Sequence, residues 1–461
     1  MIRYFFTAIG LLLSASCLMA KSPLALERPL PESWTFTETV SQQLPSDDRW
    51  WLMFDDPVLD SLITMGEEAN FDLAMAAKRM DAASRQMAIA KSAYYPQLGL
   101  NAGYTRSRTQ MVNSNHWAAE ATMSWEIDVF GKITSQVKES NAQYRASRAE
   151  WVGAMVSMAG EIASTYVQLR VWEAELAVAR EHTSAQDSIS QLVLERFKCG
   201  LGAKPQVDQS MAITHSTRAT IPALLTSIET AKSSLALLVG RYPEEISAML
   251  GSRNGLPDYR QLVATGVPAE LLRRRPDIVA AEQTLAASAA AIGIAKKDFL
   301  PTLSITGSIG VGAPHINDMF TKEGFGYSIA PTLSWTMFDG MARRARVAAA
   351  RDEMEANIAN YNYTVMNAYN EVGNAVSAYL NNIKTIKEYD MAVDNAKEFL
   401  ELELDLYVQG LAPYSDVATA EQNYLNYTNS AIVARGNALS SLISIYKALG
   451  GGFSEYTITD K

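Results

Sequence analysis

Apolar and polar residues alternate along four short stretches of the chain. The stretches are residues 97–105, 116–128, 302–311 and 325–335. In the first of them, Leu98, Leu100 and Tyr104 are separated by polar residues, glycine or alanine. A period of two places apolar side chains on one face of a β-strand and polar side chains on the other. The pattern therefore predicts four strands in two hairpins.

Each stretch has about 9–13 residues, the length that a tilted strand needs to cross a bilayer. Aromatic residues cluster near the strand ends, as they do at membrane interfaces. They are Tyr94, Tyr95, Trp117, Trp125, Phe299, Phe325 and Trp335. A soluble sandwich with one buried face would show the same alternation. Four strands cannot close a barrel, since about eight are needed, so either the sheet is small and soluble or several chains pool their strands.

A second pattern, with apolar residues mostly three, four or seven positions apart, runs through residues 132–198 and again through residues 343–408. At about 1.5 Å per residue, each stretch would form a helix on the order of 100 Å long, which is deeper than any globular core. The spacing predicts helices packed side by side as in a coiled coil. We interpret the Met and aromatic residues of these stripes as packing residues.

The two halves of the chain repeat this order of patterns at a displacement of roughly 205 to 210 positions. Residues 70–98 correspond to residues 276–303, and the segment 197–201 corresponds to 407–411. A duplicated unit of helix, two strands, long helix, turn and helix accounts for nearly the whole chain.

The chain has 461 residues with 40 Lys and Arg against 50 Asp and Glu, a net charge of −10. An acidic chain does not suit a nucleic-acid partner. The two Cys and four His are scattered, and the 19 Met are not clustered, so we predict no metal site. Hydrolase, nucleotide-binding and zinc-protease motifs are not found in the sequence. We therefore expect neither an enzyme nor a cofactor.

Residues 1–16 predict a secretory signal peptide, with Arg3 before an apolar run that ends in small residues. The small residues lead directly into Cys17, which resembles the cysteine of a bacterial lipobox. This predicts a covalent lipid, including palmitate, on Cys17. The alternative is ordinary cleavage beside an incidental cysteine. Leu18 is not Asp, so nothing indicates retention at the inner membrane.

Five motifs resemble those of one known family. They are the Pro-rich stretch 24–34, the helix opening 50–57, the Arg-rich signature 268–278 and the strand-to-helix junctions 125–132 and 335–340. Together they resemble the outer-membrane factor family of TolC-like efflux channels, especially its lipoprotein branch associated with resistance-nodulation-division (RND) pumps.

The resemblance implies a mixed α and membrane β fold. Three identical chains would form a homotrimeric, twelve-stranded outer-membrane β-barrel, with four strands per chain, continued by a long periplasmic α-helical barrel built from the internal duplication. The implied function is the exit channel of a tripartite efflux system, which passively conducts solutes delivered by an inner-membrane RND-type pump and a periplasmic adaptor (membrane fusion) protein. The alternative is the outer-membrane channel of a type I protein secretion system.

The implied location is the bacterial outer membrane, in contact with its lipids and anchored through Cys17, with a large periplasmic portion. Two turns between helices, residues 197–207 and 407–417, contain Gly-Leu followed by Pro, which ends a helix. By the resemblance these turns are periplasmic tips that contact the adaptor. The candidate contact residues are Gly200, Leu201, Gly410 and Leu411. The alternative is that the glycines shape the turns and the leucines pack locally.

Asp416 matches the family position at which three symmetric acids narrow a closed aperture, and such a ring binds cations. Asp208, on the neighbouring turn, is a second aperture candidate. A solvated surface Asp is the alternative interpretation. Cys199, in the first tip, is interpreted as a small buried residue.

These expectations divide the chain into consecutive segments. They are a signal peptide at 1–16, an N-terminal extended segment at 17–56, first-repeat helices at 57–95 and 129–240 around a hairpin at 96–128, an inter-repeat equatorial segment at 241–270, second-repeat helices at 271–298 and 339–449 around a hairpin at 299–338, and a tail at 450–461.

Overall fold

The computed structural model describes residue 31 and residues 49–109, 112–251, 255–257 and 275–451. Several predicted features lie outside the described residues. They are the signal peptide, Cys17, the Pro-rich stretch apart from Pro31, residues 268–274 of the Arg-rich signature, and the tail from residue 452.

Among the described residues, the order of helices and strands is the same in both halves, apart from a short 3₁₀ helix (Ile316–Asp318) between the two strands of the second half. A 3₁₀ helix (Trp50–Phe54) and α1 (Pro57–Ala69) come first. The first repeat comprises α2 (Phe71–Ser92), β1 (Gln97–Thr109), β2 (Val112–Ile127), α3 (Lys132–Lys198) and α4 (Lys204–Leu238), and α5 (Pro243–Leu250) follows. The second repeat comprises α6 (Pro276–Lys297), β3 (Thr302–Ala313), β4 (Phe325–Ser334), α7 (Ala342–Gln409) and α8 (Tyr414–Ala448). The internal duplication is thus confirmed.

The two long helices form as their apolar spacing predicts. Helix α3 has 67 residues and α7 has 68, so each is about 100 Å long. Helix α7 packs along α8, and α3 packs along α4, α6 and α2. Side-by-side packing of long helices is confirmed.

The four strands form one antiparallel sheet in the order β1-β2-β3-β4. One row of facing residues contains Leu100, Ala121, Ile309 and Tyr327. The adjacent row contains Gly99, Thr122, Ser308 and Ser328. Successive rows point to opposite faces, so the register collects the apolar side chains of all four strands on one face and the polar ones on the other.

The largest hydrophobic core surrounds the middle of α3. Ile162 and Leu169 are fully buried there against Leu62 of α1. The 3₁₀ helix packs on the same core, where the ring of Trp50 stacks on Tyr446 of α8 with centroids 5.4 Å apart. Because α1 and α8 both pack around α3, the N-terminal part of the described chain contacts both repeats.

A buried polar network fixes this arrangement. The Tyr166 hydroxyl donates to Asp56 Oδ2 over 2.7 Å, while the same carboxylate caps α1 by accepting from the backbone N–H of Val58 at 3.0 Å. The guanidinium of Arg170 lies 4.7 Å from the Tyr166 ring centre and donates to the carbonyl of Leu250. The network therefore joins α3 to both α1 and α5.

The junction from β2 to α3 is capped in a similar way. Asp128 accepts from the backbone N–H groups of Ile133 and Thr134 at 2.9 and 2.8 Å. Gly131 has a φ of +74°, and its carbonyl accepts from Lys297 Nζ of α6 at 2.6 Å. These bonds fix the angle at which the long helix leaves the sheet.

Among the described residues, α6 is the one helix that is long and apolar enough to cross a membrane by length and composition. It packs against both α3 and α7, in the position that α2 occupies in the first repeat. Its alanine-rich sequence suits close helix packing.

Candidate functional site

The sheet of a single chain exposes its apolar face. Leu98 and Leu100 of β1 are 80% and 81% exposed, and Tyr327 and Ile329 of β4 are 76% and 72% exposed. Ile309 lies on the same face between them. A contiguous exposed apolar patch marks a protein or membrane contact. Its breadth across four strands matches the outward apolar band of a transmembrane barrel.

Two tryptophans join the hairpins to the helices that precede them. Trp125 Nε1 donates to the carbonyl of Tyr94 at 2.9 Å, and Trp335 Nε1 donates to the carbonyl of Phe299 at 3.0 Å. The same bond thus occurs in both repeats. Indole rings with one polar atom are favoured at membrane–water interfaces. The two bonds mark the helical end of the apolar face.

The opposite face of the sheet carries small and hydroxyl-bearing side chains. The hydroxyls of Ser308 and Ser328 are 2.9 Å apart. Glu120 lies on this face opposite Gly310, where an added Cβ would come within 2.6 Å of the Glu120 Cβ. Glycine is therefore required beside this carboxylate. Such a face suits contact with water in a pore.

The periplasmic tips predicted from the sequence are two tight turns. Gly200 has a φ of +76° and Gly410 a φ of +78°, a left-handed conformation that glycine adopts without steric cost. No atom lies within 4 Å of a Cβ added at Gly200, so backbone conformation alone requires this glycine. Cys199 precedes it and is exposed, so the expectation of a buried Cys199 is wrong. The thiol lies at the turn, where no core is available.

The leucines that follow these glycines point away from the helices. The N–H of Leu201 donates to the carbonyl of Arg196 at 2.8 Å, and that of Leu411 donates to the carbonyl of Leu406 at 2.9 Å. The two side chains are 70% and 72% exposed. Local packing does not explain them, and both tips present an apolar side chain in the same geometry.

One arginine connects the two tips. Arg196 Nη1 of α3 donates to the carbonyl of Val408 at 2.8 Å, and its guanidinium lies 4.8 Å from the ring centre of Tyr407. Tyr407 in turn packs edge-on against Tyr414, with centroids 5.8 Å apart. No local sequence pattern points to Arg196, because its partners are more than two hundred positions away.

A buried carboxyl lies in the seam between α3 and α8, close to the tips. Glu421 is 5% exposed and contacts the side-chain amide of Gln186. The Gln186 amide nitrogen donates to the Glu421 carboxylate, and Gln186 Oε1 accepts from the Tyr414 hydroxyl at 3.1 Å.

A charged carboxylate can only accept hydrogen bonds, which fits the amide nitrogen of Gln186 facing Glu421. Burial raises the pKa of Glu421 to about 7. His182 lies one turn along α3, with its ring 5.1 Å from that of Tyr424, and burial lowers the pKa of His182.

The two candidate aperture acids are exposed near the starts of their helices, Asp416 in the first turn of α8 and Asp208 just after the first turn of α4. Asp208 pairs with Lys204 on α4. Asp416 on α8 accepts from the Ser415 hydroxyl at 3.1 Å. Within the part of the chain that the structure describes, no three His, Cys, Asp or Glu side chains converge as metal ligands.

Arg275 and Asp277, from the end of the Arg-rich signature, lie at the start of α6. The guanidinium of Arg275 donates to Asp277 at 2.7 Å, to Glu371 of α7 at 2.8 Å and to the carbonyl of Ala448 at 2.7 Å. Arg275 therefore joins the start of α6 to α7 and to the end of α8. Its role in the protomer is to hold helices together.

Known proteins resemble the chain over almost its whole length. A family model described as outer membrane efflux protein matches residues 62–241 and 267–451, which include most of both repeats. Nodulation protein T of Rhizobium leguminosarum bv. trifolii is 27% identical over 463 residues and 98% of each chain. Outer membrane protein OprJ of Pseudomonas aeruginosa is 27% identical over 97% of this chain and 95% of its own.

A solved structure confirms the predicted fold class. The outer-membrane channel OprN superposes with a TM-score of 0.85 at 28% identity, covering 92% of this chain and 99% of that chain. The four strands and long helices described above are thus the architecture of an outer-membrane channel protomer.

Proposed function

The chain belongs to the outer membrane efflux protein family, and we propose that three copies form one exit channel of a tripartite efflux system. The observation that carries the proposal is the sheet with its exposed apolar face. Its edge strands β1 and β4 each have one side without a strand partner in the described chain. Lipid does not tolerate such edges. Twelve pooled strands close the sheet and put the apolar face in lipid and the polar face around water.

The long helices continue this pore on one side of the sheet, since both hairpins start and end in helices there. Three chains packed through these helices form a periplasmic tunnel. An inner-membrane RND-type pump supplies the energy and delivers solute, and this subunit conducts it without a chemical step. The type I secretion alternative is not favoured, because the family model describes efflux proteins.

We assign adaptor contact to Gly200, Leu201, Gly410 and Leu411. The support is their geometry: each tip presents an exposed leucine on a turn fixed by a glycine with positive φ. Exposed leucines of this kind suit the apolar grooves of helical hairpins. The periplasmic adaptor protein supplies such hairpins in our proposal.

We assign the aperture to Asp416, with Asp208 as a second ring. Exposed carboxylates near the start of a helix, close to a tip, become rings of three in a trimer. The like charges within such a ring repel one another, and the ring attracts cations. Cys17 is assigned the lipid anchor, with palmitate among its acyl chains, and no other bound group is proposed.

The proposal is tested by the mass of the protein extracted in mild detergent from an outer-membrane fraction, without crosslinker. The full 461-residue sequence has a mass of 50.5 kDa, each mature chain is lighter by the signal peptide, and we expect a particle of three chains. A soluble periplasmic monomer would overturn the channel. Acyl analysis of the same material, with Cys17→Ser as the control, tests the anchor separately.

A further inference from the structure

The first hairpin extends beyond the second at the end of the sheet opposite the helices. The last row that all four strands share contains Ala102, Ala119, Val311 and Phe325. Strands β1 and β2 remain paired for seven further rows, to Thr109 and Val112. At about 3.4 Å per residue, the extension is roughly 24 Å long.

The apolar face stops within this extension at a pair of aromatic rings. Tyr104 and Trp117 face each other across β1 and β2, with centroids 4.5 Å apart. The next residues of β1 on the same face are Arg106 and Arg108, and both are exposed. They lie about 7 and 14 Å beyond Tyr104 along the strand. The lipid-facing side thus changes from aromatic to cationic over one short distance.

The first hairpin itself offers these arginines no negative charge, and the acids at this end of the sheet, Asp318 and Glu323, lie in the segment between β3 and β4. Arg106 is paired with Asn115 and Arg108 with Asn113 across the hairpin. Residues 105–116 contain no Asp or Glu. In a trimer the extension would carry six guanidinium groups above the aromatic rings. A cationic band on the lipid side matches an anionic head group.

We propose that Arg106 and Arg108 bind the phosphate groups of the phosphorylated glycolipid of the outer leaflet, lipopolysaccharide. The inference rests on the proposed function, which puts the helices in the periplasm and therefore this end of the sheet at the cell exterior. A guanidinium binds phosphate through two parallel hydrogen bonds. The two arginines are two residues apart on one face, so they can engage one glycolipid or two adjacent ones.

The test measures binding of bis-phosphorylated lipid A to the full-length trimer in detergent by native mass spectrometry. The variant is R106Q/R108Q. The control, R79Q/R85Q, removes the same charge from exposed positions on α2. Two arginines near a membrane surface are worth an affinity change of about 30-fold. We expect 10- to 30-fold weaker binding for R106Q/R108Q, little change for the control, and largely retained binding for R106K/R108K.

Dephosphorylated lipid A should bind wild-type protein as weakly as the phosphorylated form binds R106Q/R108Q. Equal affinity of wild-type and R106Q/R108Q trimers, or equal loss in R79Q/R85Q, would overturn the inference while leaving the channel intact. Full competition by millimolar inorganic phosphate would assign the site to free phosphate and overturn the lipid source. If wild-type protein is not an outer-membrane trimer, the proposed function fails first and the inference fails with it.

Discussion

Arg196 lies over the ring of Tyr407, 4.8 Å from guanidinium carbon to ring centre, and so connects the tip of the first repeat to the tip of the second. The hydrogen bond from its Nη1 to the carbonyl of Val408 also connects the first repeat to the second. Any movement that separates α7 and α8 from α3 and α4 at this end must break both contacts. Arg196 therefore stabilises the arrangement seen in the protomer.

Replacing Arg196 should loosen the tips. The two contacts are together worth roughly 1–2 kcal/mol. We therefore expect Arg196→Ala to raise the fraction of time that the channel is open about five- to thirty-fold, measured from single-channel recordings in planar bilayers. Arg218→Ala is the control, since Arg218 pairs with Asp187 at 2.8 Å within one repeat. Equal changes of the open fraction in the two variants would show that the connection between tips has no special role.

The buried Glu421 should make the stability of the helical portion depend on pH. Burial raises the pKa of Glu421 in the folded protein from its ordinary value of 4.5 to about 7, so the folded state holds the proton more tightly. The stabilisation is complete below pH 4.5 and is lost as pH rises to about 7, at about 1.4 kcal/mol per pH unit at most. Thermal unfolding followed by circular dichroism should therefore show a falling midpoint across this window.

Glu421→Gln should remove that dependence. The lowered pKa of His182 acts in the opposite direction, because stability lost on protonating a buried imidazole returns as pH rises. For this reason the quantity to compare is the difference between wild type and Glu421→Gln at each pH. Glu401→Gln, at an exposed position, is the control. A difference that does not vary between pH 4.5 and pH 7 would contradict a buried proton on Glu421.

Adjacent residues on β1 should respond oppositely to a charge. Leu100 lies on the apolar face and Asn101 on the polar face. An arginine facing lipid near mid-membrane costs about 2–4 kcal/mol. We expect Leu100→Arg to reduce the amount of trimer in the outer membrane severalfold, and Asn101→Arg to leave it close to wild type. Quantitative blotting of membrane fractions measures the amount of trimer. A larger loss for Asn101→Arg than for Leu100→Arg would mean that the polar face, and not the apolar face, contacts lipid.

Removing the apolar character of the tips should weaken adaptor capture. We expect Leu201→Glu combined with Leu411→Glu to reduce the adaptor retained in a pull-down at least tenfold, because two exposed apolar contacts per chain are lost. Leu201→Met with Leu411→Met keeps the apolar surface and should retain binding. Unchanged capture by the Glu variant, with trimers of normal size, would show that the adaptor binds elsewhere.

Local periodicity was sufficient to predict most of the fold. The period of two in β1 to β4 and the sustained helical spacing of α3 and α7 are properties of consecutive residues, and both elements form where the patterns lie. The glycine at each tip was also visible, because Gly-Leu before proline is itself a turn signal.

Side chains whose partners are distant in sequence could not be found in this way. Gln186 and Glu421 meet across the seam between two helices from different repeats, and neither belongs to a motif. A buried acid on a helix has the same local sequence signature as a solvated one. Arg106 and Arg108 were missed for another reason: the predicted strand ends at residue 105, whereas β1 continues to Thr109 and carries the alternation through both arginines.

The two tips have nearly equal backbone geometry, with glycine φ values of +76° and +78° and the same hydrogen bond to the following leucine. In a three-chain channel, this near-equivalence would give the six periplasmic tips pseudo-sixfold symmetry. A ring of six identical subunits can therefore sit on a trimer, with alternate subunits meeting Leu201 and Leu411. Threefold and sixfold partners become compatible because one gene segment was copied within the chain.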